Sequence, residues 1–135
     1  MTKYLLTVDY QPGVIDTPTD QWSAEDVKAH LDYYGAAIQE LIDSGEMVDN
    51  HALTPPEAAK VVTSDGSRTE VTSDGPFFKL PELLAGYQLV DVASEERAIE
   101  IAAKISRVPG PGGVPLQQPI AVRRVMTGDD MESLG

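Results

Sequence analysis

The chain has 135 residues, enough for one continuous core and little more, and its 41% hydrophobic and 24% charged residues exclude a disordered chain. Twenty-two acidic residues against 10 basic ones give a formal charge of -12, which repels phosphate backbones and anionic lipid, so neither nucleic acid nor a membrane is an expected partner. With no cysteine there is no disulfide framework, thiolate nucleophile or thiolate metal site.

The opening, MTKYLLTVDYQ, carries a short apolar run broken by Thr7 and Asp9, too short and polar for a signal core or a span, so cytoplasmic residence is expected. Residues 3–10 predict a first strand, which Pro12-Gly13 ends in a loop. Ser23 caps a predicted amphipathic helix over 24–44, whose Val27, Leu31, Tyr34, Ile38, Leu41 and Ile42 form one apolar stripe, with Gly45 as its stop. EMVDNHAL suits a short edge strand that Thr54-Pro55-Pro56 interrupts. AKVVT and RTEVT flank a Ser-Asp-Gly-Ser turn, which predicts a β-hairpin over 59–72.

SDGPFFKLPELLAG follows, too apolar to be passive slack, with a helical turn expected near Pro81. GYQLVDV at 86–92 predicts a strand, and Ser94 caps a second helix through Lys104 with Ala98, Ile101, Ala102 and Ile105 on one face. PGPGGVP at 109–115 is expected to be a flexible connection able to act as a lid, before a last strand in PIAVRRV. Residues 1–126 make one domain on this reading, and 127–135 an acidic, flexible tail.

Leaving out the hairpin, the order strand, helix, strand, strand, helix, strand is the split β-α-β arrangement of an α+β, ferredoxin-like subunit. Two helices cover one sheet face, and apolar side chains on the other predict a homodimer formed sheet to sheet.

At Asp74-Gly75-Pro76-Phe77 the chain resembles the YCII-related proteins and, within them, the DGPF-domain group. The resemblance extends from KYLLTV through the long helix ending in glycine to Ala85-Gly86-Tyr87 and the closing strand. It implies a ferredoxin-like subunit paired into a dimeric α+β barrel, in a family where a cleft histidine and aspartate suggest an enzymatic role. Where members of that family carry a glutamate, a lysine and a second glutamate after DGPF, this chain has Lys79, Pro81 and Glu82, and Ala85 replaces a glycine.

Asp74 can cap an Asx-type turn that Gly75 and Pro76 shape, or present its carboxylate to a pocket lined by Phe77 and Phe78. His30 lies beside the helix stripe, as a core-rim histidine or as a proton carrier oriented by Asp9 or Asp74, and Tyr10 ends the first strand with a hydroxyl donor. The expected catalytic set is therefore His30, Asp74 and Tyr10, with Asp9, Gly75, Phe77, Phe78, Lys79 and Glu82 touching ligand. His51 is expected in solvent, two histidines 21 positions apart match no compact metal spacing, and dinucleotide and phosphate-loop motifs are missing, so neither metal nor cofactor is expected. The function expected is binding of an unknown small molecule, extending to cofactor-free acid-base chemistry. The alternatives are a non-catalytic interaction or regulatory dimerisation domain, whose acidic helix surface would hold a basic partner, and a protein that sequesters a metabolite.

Overall fold

The computed structural model describes residues 1–9, 17, 19–54, 58–72 and 84–135. Six strands and three helices alternate along them: β1 (Thr2–Asp9), α1 (Ala24–Asp43), β2 (Met47–Ala52), β3 (Val61–Ser64), β4 (Thr69–Thr72), β5 (Leu84–Val92), α2 (Glu95–Ser106), β6 (Ile120–Arg124) and α3 (Gly128–Glu132). Strands β2, β5, β1 and β6, in that order, form one sheet in which every neighbouring pair is antiparallel, and β3 and β4 form a separate hairpin.

The α+β class follows from these elements, but the barrel does not. The main sheet stays open, with β2 and β6 as its two edges, and neither sheet closes on itself. The dimeric α+β barrel expected from the sequence therefore gives way to an open antiparallel sheet with helices on one face and a detached hairpin.

Period-two alternation sets the two faces. Tyr4 and Leu6 of β1 and Val90 and Val92 of β5 are buried toward the helices, where they meet Leu41 of α1 and Ala98, Ile101, Ala102 and Ile105 of α2. The α2 stripe is the one read from its spacing, and Ser94 caps it by accepting a hydrogen bond from the Arg97 amide. On α1 the contact line is shifted. His30 and Tyr34 are half-buried and Ala37 and Leu41 buried, whereas Leu31 and Ile42, expected in the stripe, are 60% and 53% exposed. The small Ala37 shares a narrow gap with Ile101 and Ile105, so α1 turns this line rather than its larger aliphatic residues toward α2.

The opposite sheet face carries a transverse row set by register: Asp49 on β2, Leu89 on β5, Leu5 on β1 and Arg123 on β6. Its centre is apolar as expected, but its ends are charged. At one sheet end, Arg97 makes a bidentate contact with Glu46, at 2.8 and 2.9 Å, and so ties α2 to the entry of β2. That contact holds the Glu46 carboxyl below its ordinary pKa. The segment 127–135, expected as a flexible tail, contains α3, which Thr127 opens with a capping box and Arg124 anchors through Asp130. No described helix is long and apolar enough to cross a membrane.

Leu6 is fully buried and Leu31 lies largely in solvent. Leu6→Ala is expected to cost about 2–5 kcal/mol in urea denaturation, and Leu31→Ala to stay within about 0.5 kcal/mol; equal losses would contradict this placement of the core.

Candidate functional site

A cleft of about 260 Å³ opens at one end of the helix-covered sheet face. Its floor is the end of the central strand pair, where Val8 of β1 lies opposite Gly86 of β5 and the register shifts between Val8 and Asp9. Such a bulge re-aims side chains at a sheet margin. His30 and Tyr34 of α1 form one wall, and Ile105, Val108 and Leu116 form an apolar wall opposite. Wider concavities exist by the hairpin turn, along α2 and β6, and between residues 1–3 and 125–127, but none of the three is lined by a buried polar group of the kind found here.

That group is Gln88. Alternation along β5 places it on the same face as Val90 and Val92, and only 2% of its surface is exposed. Its Nε2 donates to the Tyr34 hydroxyl at 2.8 Å, and that hydroxyl donates to Asn50 Oδ1 at 3.0 Å, so α1, β5 and β2 are joined by one polar chain. Burial pushes the Tyr34 phenol pKa up, against the opposing effect of the Gln88 hydrogen bond. The other end of the amide is different: Gln88 Oε1 is buried without a hydrogen-bond partner. Asp91 Oδ1, on the opposite sheet face, is the second such atom among the described residues. A buried acceptor left unpaired costs about 1–3 kcal/mol, so Gln88 Oε1 is a place where a ligand donor would repay that cost.

His30 is oriented from an unexpected direction. Its Nδ1 lies 3.0 Å from the Pro109 carbonyl oxygen, and the Trp22 ring meets the imidazole edge-on at 5.3 Å between centroids. A carbonyl can only accept, so in the neutral ring Nδ1 carries the hydrogen and Nε2 carries the lone pair. The orienting group is thus a backbone carbonyl 79 residues away in sequence, not the carboxylate of Asp9. The backbone carbonyl of Asp9 instead accepts from Gln118 Nε2 at 3.3 Å.

The loop that supplies Pro109 is not the flexible connection its composition predicts. Leu116 N bonds Val108 O, Gly110 N bonds Val114 O, and Gln118 N bonds Ser106 O, so the segment folds back on itself as a fixed wall. Gly112 and Gly113 have φ of 69° and 77°, a left-handed turn that glycine adopts without strain. A β-carbon on Gly110 would lie 2.6 Å from Leu116 Cδ2, so a larger residue there would displace the Leu116 side chain from its place in the cleft wall. The Gly112 amide reaches Asp26 Oδ1 of α1 at 3.3 Å and closes the loop against the helix.

Of the residues expected at a site, His30 lines this cleft and Asp9 lies beside it, whereas Tyr10, Asp74, Gly75, Phe77, Phe78, Lys79 and Glu82 lie outside the described residues. Sequence reasoning passed over Gln88, Tyr34 as its partner, and Asn50. The signal for Gln88 was present in GYQLVDV, since a strand whose Val90 and Val92 face the core puts Gln88 there too. A second polar cluster lies on the open face, where Asp49 meets His51 Nε2 at 2.9 Å and accepts from the Tyr87 hydroxyl at 3.0 Å. The Tyr87 hydrogen bond is the main cause that lowers the Asp49 pKa. This cluster is largely exposed and lines none of the cavities described above. Among the described residues, no group of three His, Asp or Glu side chains is placed to hold a metal.

The geometry fixes one spectroscopic outcome. Long-range 1H–15N spectra at alkaline pH are expected to show neutral His30 protonated at Nδ1, the less common tautomer of the free amino acid side chain. A dominant Nε2–H form would contradict the Pro109 contact.

No family model matches the chain. The YCII-related and DGPF assignment drawn from Asp74-Gly75-Pro76-Phe77 thus has no support from that comparison, and these four residues lie outside the described ones. Over 91 residues the chain is 28% identical to an uncharacterised protein of Rhizobium meliloti (strain 1021), across 67% of this chain and 73% of that relative.

Proposed function

We propose that this protein binds a small organic molecule in the cleft between α1, the β1–β5 floor and the 107–118 wall, with the cytoplasm as its expected compartment. The observation that carries the reading is Gln88 Oε1, a buried acceptor without a partner in a mostly apolar cavity. A volume near 260 Å³ suits a molecule larger than benzene, for which an apolar cavity of about 150 Å³ suffices. His30 extends the proposal to cofactor-free acid-base chemistry. Its fixed tautomer presents Nε2 as a proton acceptor, and the aliphatic wall limits competition from water.

The acidic helix surface has less to recommend it as a docking site for a basic partner. Asp32 pairs with Lys28 at 2.6 Å, Glu40 with Lys104, and Glu46 with Arg97. Asp43 accepts from Gln39, and Asp26 from the Gly112 amide. Charges already engaged within the fold have less to offer a partner.

Native mass spectrometry of gently purified protein, set against its denatured mass, tests the binding reading. The native chain is expected to carry an organic species that denaturation releases, and Leu116→Trp, which fills the cleft, is expected to abolish that extra mass while circular dichroism stays unchanged. A bare wild-type chain whose melting midpoint is also unmoved by a panel of neutral ring-sized fragments would overturn it.

One observation favours self-association as a second reading. The row Asp49, Leu89, Leu5, Arg123 runs acid, apolar, apolar, base. Turned about a two-fold axis parallel to the strands, it faces its own copy with leucines together and each aspartate opposite an arginine. Sedimentation velocity is expected to show a dimer that Arg123→Glu weakens by about tenfold or more, the size of a close charge reversal. A wild-type monomer at all accessible concentrations would exclude this reading.

A further inference from the structure

We infer that the cleft selects a neutral ligand that donates hydrogen bonds, an N–H or O–H compound with a compact apolar body, and that it discriminates against carboxylates and phosphates. The inference rests on the reading of the cleft as a binding site and adds the chemical class of its occupant.

The donor and acceptor inventory of the wall decides the class. Tyr34 has its hydroxyl occupied on both sides, since it receives from Gln88 Nε2 and gives to Asn50 Oδ1. Gln88 Nε2 gives one hydrogen to Tyr34 and the other, at 3.4 Å, to Asn50 Oδ1, so the amide offers the cleft its oxygen alone. His30 Nδ1 is spent on Pro109, so the neutral imidazole likewise offers the acceptor Nε2. Gln118, the other amide side chain of the wall, already donates from Nε2 to the Asp9 carbonyl at 3.3 Å, so the sites that Gln88 and His30 present are acceptors, complementary to a ligand donor. Both belong to the same cavity, whose remaining wall of Val8, Ile105, Val108 and Leu116 rewards apolar surface.

Charge points the same way. None of the described residues that line the cleft is lysine, arginine, aspartate or glutamate. An anion entering it would lose its hydration, meet two acceptor atoms and gain no counter-charge from that wall, within a chain of formal charge -12. A neutral amide, alcohol or ring N–H avoids each of these costs. The selectivity is therefore expected to lie in donor count and neutrality, with the apolar wall setting size.

Three probes of one shape separate these terms: benzamide, with a donor amide; methyl benzoate, neutral but without a donor; and benzoate, the anion. Each is titrated into 15N-labelled wild-type protein, and the shifts of Gln88, His30 and Val108 amide or ring resonances give the affinity. Benzamide is expected to bind at least about tenfold more tightly than methyl benzoate, the discrimination that one unmade bond to a buried acceptor produces. Benzoate is expected to be the weakest of the three. In Gln88→Met, benzamide should fall to the level of methyl benzoate, and because the wild-type comparison stands alone, failure of that variant to fold would not remove the test. Equal affinity for benzamide and methyl benzoate, or tightest binding of benzoate, would overturn the ligand class and leave the binding site standing. If no probe moves these resonances while the fold is intact, the reading of the cleft as a binding site fails with it.

Discussion

The antiparallel pairing of β1 with β5 is the constraint from which the other placements follow. It spans Thr2 opposite Val92 to Asp9 opposite Leu84, and both strands have a further neighbour, so this pair is central and cannot slip without turning every side chain over. One end of its inner face carries Tyr4, Leu6, Val90 and Val92, which α2 covers with a stripe of small and branched residues. The other end carries Val8, Gly86 and Gln88, where the last turn of α2 gives Ile105 to the wall. The cleft lies where, of α2, Ile105 borders the inner face of the strand pair. Val108, Leu116 and the folded loop between them close one side, and α1 closes the other.

A glutamine in that position is costly for stability alone. A leucine of similar volume would extend the row of Leu6, Val90 and Val92 without leaving an acceptor unpaired. Gln88 instead spends its amide nitrogen in a chain with Tyr34 and Asn50, which fixes α1 against β5 and β2, and leaves its oxygen buried beside the cavity without a partner. Natural sequences break the rule of satisfied interiors most often where a site is built. The same can be said of the loop wall: two glycines in left-handed geometry and a third held against Leu116 impose a shape that a connection of this length does not need merely to join α2 to β6.

Much of the architecture was legible in the sequence, for reasons of period. The α2 stripe, the Ser23 and Ser94 caps, the hairpin and the alternation of β6 are local patterns, and local patterns survive folding. The α1 stripe was less legible because Leu31 and Ile42 fit a helical period as well as His30 and Ala37 do, and only the close approach of α2 selects between them. The site was hidden in a different way. His30 was recognised as a candidate, but its partner is a carbonyl, which every residue has, brought from a loop whose proline and glycine content reads as looseness. Composition cannot distinguish a flexible glycine-rich loop from one that its own amides have folded, and here Gly110, Leu116 and Gln118 amides decide the matter. The open sheet likewise separates from the expected barrel only once strand order is known, since one set of strands serves either.

The choice of a carbonyl as the partner of His30 bears on what the cleft can do. A carboxylate in that place would set the same tautomer, but it would bring a negative charge to the wall and favour an imidazolium that donates from both nitrogens. Pro109 O fixes the ring while adding no charge, and so leaves Nε2 an acceptor beside the acceptor Oε1 of Gln88. The two are held by different elements: Gln88 by the central strand, and His30 by α1 and the loop that Asp26 ties to it. A ligand that bonded both would link the strand floor to the helix and loop walls, and its binding would stiffen the end of the fold that α2 borders through Ile105. Recognition and stabilisation at this end of the sheet therefore draw on the same two atoms.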